Sequence, residues 1–225
     1  MPFSNFQIVE TFRDRLVTLL VVPAPVVDIE VVEGSPDDTY VRASGSWVDD
    51  GFYPGMEVDA SGFADSANNG LSVVKVATDL VLTVDENLSN EASASGRSIS
   101  VGLPSRIAPE NIEFTPDEGK PYVEEGFVPG PTTQETVGPG GDIEADPLYV
   151  VRLFVPADYG PESLHLYGDA LVALFASRTA MSLTNGDVLR VRTNPGPFRG
   201  QLLQLKPGWA TVPVSIPLRI RTINP

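Results

Sequence analysis

The sequence predicts an α+β fold, two helices packed on one mainly antiparallel sheet, with a small all-β barrel inserted near its start. Three observations carry this. The 225 residues include 20 Gly and 21 Pro, well above ordinary usage and suited to short strands and turns rather than a helical bundle. Only two stretches have the apolar spacing of a helix. The charge is lopsided: residues 28–102 hold 14 acids against Arg42, Lys75 and Arg97, a net −11, while the rest of the chain carries −4. This shift marks boundaries near Asp28 and Gly102. Residues 1–27 and 103–225 then make one discontinuous α+β domain, and residues 28–102 an inserted acidic domain.

The first helix is expected over Phe6–Leu20. Ser4 with Gln7 has the spacing of a capping box, Ile8, Val9, Phe12, Leu16, Leu19 and Leu20 recur at helical spacing, and Pro23 and Pro25 stop it. Arg13 and Asp14 fall on its other face. Short β-type runs follow at Asp28–Glu33, Thr39–Ser44, Met56–Ala60, Leu71–Ala77, Leu80–Val84 and Ser98–Val101. Turn residues such as Asp50-Gly51, Pro54-Gly55 and Asn68-Asn69-Gly70 separate them, the cadence of a small antiparallel barrel. Further strands are expected at Asn111–Phe114, Tyr122–Val128 and Leu148–Val155. A second helix is expected over Glu162–Ser177, with Leu164, Tyr167, Leu171, Leu174 and Phe175 on its apolar face. Val188–Arg192, Leu202–Leu205 and Trp209–Arg221 complete the strands; Pro213 and Pro217 favour an edge position or a bulge for the last one.

Composition excludes much chemistry. There is no cysteine and a single histidine, His165, so thiolate sites, disulfides and two-histidine metal motifs are ruled out. His165 reads as a surface residue of the second helix. No phosphate-binding glycine loop is present. Glu124-Glu125 and Asp49-Asp50 are adjacent carboxylates, which point to opposite faces of a strand and form no acid–base pair. Asp142-x-Glu144-x-Asp146 has half of a calcium-loop pattern and lacks its glycine and bidentate glutamate. No catalytic, cofactor or metal site is assigned, and no enzyme activity is expected. A formal charge of −15 argues against nucleic-acid binding through the bulk surface. No apolar run is long enough to span a membrane, and the N-terminus lacks the pattern of a signal peptide.

Two features remain. Pro129–Asp146 is a long polar loop without hydrophobic pattern, of the kind that is usually functional or disordered. It is read as a protruding arm that orders on a neighbour, through Pro129, Gly130, Thr132, Thr133, Gln134, Glu135, Thr136, Gly138, Gly140 and Asp142. From Arg178 onward, seven bases face one acid, Asp187. Arg178, Arg190, Arg192, Arg199, Arg219 and Arg221 are candidates for an inter-subunit or lumen-lining surface. Their basic edge could meet acids of the next copy, for example Glu124, Glu125 or Asp169, or contact passing DNA. Solvated strand faces are the plainer alternative.

Several ordered stretches resemble the tail terminator (tail completion) proteins of long-tailed bacteriophages. They are Ile107-Ala108-x-x-Asn111-x-x-Phe114, Pro121-Tyr122-Val123-Glu124-x-x-Phe127-x-Pro129, Tyr149-Val150-Val151-x-Leu153-Phe154-Val155-Pro156-Ala157, Tyr167-x-Asp169-Ala170-Leu171, Leu189-Arg190-Val191-Arg192 and Trp209-x-x-Val212-Pro213-Val214. The resemblance implies a six-membered homo-oligomeric ring at the head-proximal end of the tail tube. The ring would end tube growth and meet the head-completion (connector) proteins, with passive passage of DNA and a place in the neck of the virion. A head–tail connector or a tube subunit is the alternative. Residues 45–70, with Trp47, Phe52 and Val58, are similar to small β-barrel modules of phage tail proteins, and this insertion is expected to decorate the outside of the ring. A binding role for it would need exposed aromatics, such as Tyr40 or Tyr53.

Overall fold

The computed structural model describes residues 4–108, 113–136 and 141–223. Two helices, α1 (Asn5–Leu16) and α2 (Glu162–Leu174), accompany two largely antiparallel sheets. The first sheet holds β1 (Leu20–Val22), β2 (Ile29–Val32), β3 (Asp38–Arg42), β4 (Glu57–Ser61), β5 (Gly70–Ala77), β6 (Val81–Val84), β7 (Glu91–Ala94) and β8 (Ser98–Gly102). Its strand order is β1-β8-β4-β5-β6-β3-β2-β7. The expected barrel is met as far as this antiparallel sheet. The path is open, with β1 and β7 at its ends, and no pairing among the described residues closes it.

The second sheet holds β9 (Ile107–Ala108), β10 (Tyr122–Val128), β11 (Thr132–Gln134), β12 (Asp142–Ala145), β13 (Leu148–Pro156), β14 (Ala180–Ser182), β15 (Val188–Val191), β16 (Phe198–Arg199), β17 (Leu203–Lys206) and β18 (Trp209–Ile223). β18 is its spine. One flank pairs with β13 and, further along, with β12. The other flank pairs in turn with β17, β16 and β15. The edge position expected for the proline-containing strand is therefore wrong. The prolines are tolerated because the second flank is broken where they fall: Pro213 lies between the β17 and β16 pairings, and Pro217 between those of β16 and β15. At these gaps each proline still accepts through its carbonyl, from Gly200 N–H at 2.7 Å and Arg192 N–H at 2.9 Å, and only its missing donor is forgone.

α1 starts as expected, with the Ser4 hydroxyl accepting from Gln7 N–H at 3.2 Å. It ends four residues earlier than the spacing predicts. Thr18 and Leu19 close it with three-residue bonds to Arg15 and Leu16, and Leu20–Val22 leaves to pair with β8. β1 therefore lies before the boundary expected at Asp28, yet belongs to the first sheet. Ile8, Phe12 and Leu16 are buried. Phe12 is stacked between Tyr149 of β13 and Phe175 after α2, with ring centroids 3.7 and 4.1 Å away. α2 also ends earlier than expected, at Leu174, whose carbonyl accepts two bonds from Arg15. That guanidinium supplies donors the helix end lacks. Of the strand expected at Asn111–Phe114, Asn111 and Ile112 lie outside the described residues, and Phe114 is not in a strand but packs on Tyr122.

The cores of the two sheets are continuous. At their junction Glu57 is buried and accepts from Ser105 N–H (2.6 Å), the Ser105 hydroxyl (3.1 Å) and Arg106 (3.3 Å). Gly55 fits against Val155 and Tyr159 where an added Cβ would stand 2.4 Å from Val155, and its φ of +81° lies in the left-handed region open to glycine.

Candidate functional site

The segment expected to be a pattern-free loop is a hairpin. β11 pairs with β12 from Thr132↔Ala145 to Gln134↔Ile143. Beyond them Glu135 N–H donates to the Asp142 carbonyl (2.9 Å), and Asp142 N–H donates to the Thr136 hydroxyl (2.6 Å). β12 in turn pairs with β18, from Asp142↔Ile223 to Ala145↔Ile220. The loop reading fails because β18 runs past the end of β13 and leaves ladder positions that β12 fills. At the hairpin base, Gly130 passes so close to the Asp146 carbonyl that a Cβ would lie 1.8 Å from its oxygen. Pro129 and Thr132, Thr133, Gln134, Glu135 and Thr136 are exposed. Gly138 and Gly140 lie outside the described residues.

The same ladder assembles four of the six predicted arginines. Arg219 and Arg221 alternate on β18. Arg190 of β15 stands directly opposite Arg219, and Glu144 of β12 directly opposite Arg221. In-register residues share a face of the sheet, and the other face buries Ala145, Leu189, Leu218 and Ile220. Glu144 bridges Arg219 (3.1 Å) and Arg221 (3.0 Å); Asp146 bridges Arg192 (3.4 Å) and Arg219 (3.5 Å). The half calcium pattern thus has its last two carboxylates committed to arginines. No group of three His, Asp or Glu side chains among the described residues is placed to hold a metal.

The other two arginines stand apart. Arg178 is exposed in the turn after α2 with φ 72°. Arg199 of β16 pairs with Asp169 (2.9 Å) and donates to the His165 carbonyl (3.0 Å). Among the described residues neither Arg178 nor Arg190 has a carboxylate within ion-pair distance.

The acids expected to receive a neighbour's arginines are committed within the chain. Glu124 pairs with Lys206 (2.5 Å), Asp169 with Arg199, and Glu125, buried, with Arg13 in a two-pronged contact of 2.6 and 3.1 Å. The hydrogen bonds that the Arg13 guanidinium donates to Glu125 hold it above its usual pKa. Tyr40, named as an aromatic for a binding role, is buried and donates its hydroxyl to the Asn68 carbonyl at 3.0 Å; Tyr53 is half-buried.

At the opposite end of β18 lies a cavity of about 580 Å³ bordered by Trp209, Tyr159, Pro116 and Glu118, which sequence reasoning missed. Its walls come from segments far apart in the chain, so no local spacing could disclose it. No helix among the described residues is long and apolar enough to cross a membrane.

A family model described as phage tail terminator protein matches residues 94–218, more than half of the chain. The chain belongs to the phage tail terminator family. It is a structural protein of the phage tail. The match to the terminator family takes in β8 and runs as far as Leu218 within β18, and so covers the hairpin and two of the four clustered arginines, Arg190 and Arg192. One solved protein chain matches this terminator-family chain with 26% identity, covering 53% of this chain and 79% of the other, at a TM-score of 0.41. The comparison with curated proteins gives no match.

Proposed function

We propose that the chain forms a six-membered ring at the head-proximal end of the phage tail tube, ends tube growth there and joins the tail to the head-completion proteins. Its partners are further copies of itself, the tail tube protein and the head-completion protein, with DNA passing through the ring. The family match over residues 94–218 carries this reading. The hairpin supports it: β12 is anchored to the spine of the sheet while β11 is exposed along its length, the form of an arm that makes its remaining contacts on another molecule. Residues 1–27 with 103–225 act as the ring-forming domain, and residues 28–102 as an inserted acidic barrel-like domain.

Position decides between this and the neighbouring readings. Gold-labelled antibody on intact particles is expected at the neck, and added protein is expected to stop tube elongation. Label along the tube would make the chain a tube subunit, label at the distal tip would make the 28–102 segment an adsorption module, and neck label without capping would make it a connector.

A further inference from the structure

We infer that the arginine face at the far end of β18 docks the acidic 28–102 segment of a second copy of this chain. The inference deepens the ring reading and rests on it.

The face is under-neutralised. Arg192, Arg219 and Arg221 share two carboxylates, Glu144 and Asp146, and Arg190 has none within ion-pair distance among the described residues. Arg190 stands directly across from Arg219, and like charges in register on one face oppose folding. An exposed pair of this kind, on a molecule with a formal charge of −15, fits an anionic partner. The other acids expected to receive a neighbour's arginines, Glu124 and Glu125 of β10 and Asp169 of α2, are already paired within the chain. In the 28–102 segment, by contrast, Asp28, Glu30, Asp49 and Asp59 are exposed, and none of them has an ion-pair partner among the described residues.

One molecule cannot satisfy both surfaces. The 28–102 segment packs against Val155 and Tyr159, at the Trp209–Ala210 end of β18. Arg219 lies nine residues further along, about 30 Å of extended strand. The acidic and basic surfaces therefore sit at opposite ends of one spine. Each can be met only by the other end of a neighbour, a head-to-tail contact that repeats around a closed ring. DNA is the less favoured occupant, because the acids lying between the arginines would face its phosphates.

Charge reversal tests this with the full chain. Arg190→Glu reverses the charge at the one arginine of the face that holds no salt bridge, and Asp28→Lys with Glu30→Lys and Asp59→Lys reverses the acidic end. Wild type is expected to assemble on purified tail tubes, more weakly as salt rises. Each variant alone is expected to lose assembly by about tenfold or more, with an unchanged circular dichroism spectrum. An equimolar mixture is expected to recover assembly, because the reversed end of each variant complements that of the other.

Wild-type assembly with both variants assembling equally well would overturn this contact and leave the ring standing. So would failure of the mixture when both variants are folded, or loss of DNA retention by the arginine variant with self-assembly intact, which would make DNA the occupant. Failure of wild type itself to oligomerise on tubes would overturn the ring reading and this inference together.

Discussion

Glu125 is a carboxylate placed where water scarcely reaches, and Arg13 makes that tenable. Arg13→Ala strands the charge. It is expected to cost about 2 kcal/mol, below the ~3–5 kcal/mol of a fully buried pair, because the Arg13 side chain is 42% exposed. Thermal unfolding should show a fall of roughly 4–8 °C at this chain length. Glu91 gives a pH-dependent counterpart. It accepts from Ala64 N–H, Asn68 and Asp65 N–H and pairs with Arg97, and the Ala64 backbone bond leads the causes that lower its pKa from 4.5 to about 2. The fold therefore favours its charged form. That stabilisation is complete above about 4.5 and is lost as pH falls towards about 2. Glu91→Gln should flatten the acid limb of a stability-against-pH curve across this window and leave its alkaline side unchanged. Neither pair is visible in the sequence, because Arg13 reaches Glu125 from α1 to β10 and Glu91 meets the turn between β4 and β5, contacts set by tertiary packing and not by spacing along one element.

At the scale of elements, strong alternation was readable and borrowed order was not. The strand expected at Tyr122–Val128 matches β10 at both ends, and Leu148–Val155 matches β13 to within one residue, since both carry their own apolar pattern. β7, β11 and β14 are short and largely exposed. Their conformation comes from the strands they pair with, so residues such as Glu91–Ala94 give no signal in isolation. The hairpin is the instructive case: its length and polarity made it stand out, while its pairing depended on the far end of β18. Deleting Thr132–Gly140 should leave circular dichroism and melting temperature close to wild type, because β11 pairs with β12 alone and β12 keeps its ladder to β18. Tube capping should be lost; capping by the deletion variant at the wild-type rate would dismiss the arm.

For the whole molecule, the charge shift near Asp28 and Gly102 was legible because it is a property of composition. The way the two sheets meet was not. Glu57, Ser105, Arg106 and Tyr167 come together from three parts of the chain, and the apolar core runs through the junction without a break. One cooperative unit follows. Calorimetry should record a single transition, and Glu57→Ala, which strands the Ser105 N–H while Arg106 keeps Asp117, should lower that transition by about 2 kcal/mol in stability without splitting it. Two separate transitions would mean that the sheets unfold independently.

β18 gives the molecule a mechanical character. Every strand of the second sheet except β9, β10, β11 and β14 is hydrogen-bonded directly to it, and its ends lie beside the two oppositely charged surfaces. Tension applied between those surfaces would travel along one covalent backbone, as along a tie-rod, while the flanking ladders carry only the side load. A collar built from such units could be stretched around its circumference without any one hydrogen-bonded pair of strands having to bear the hoop stress.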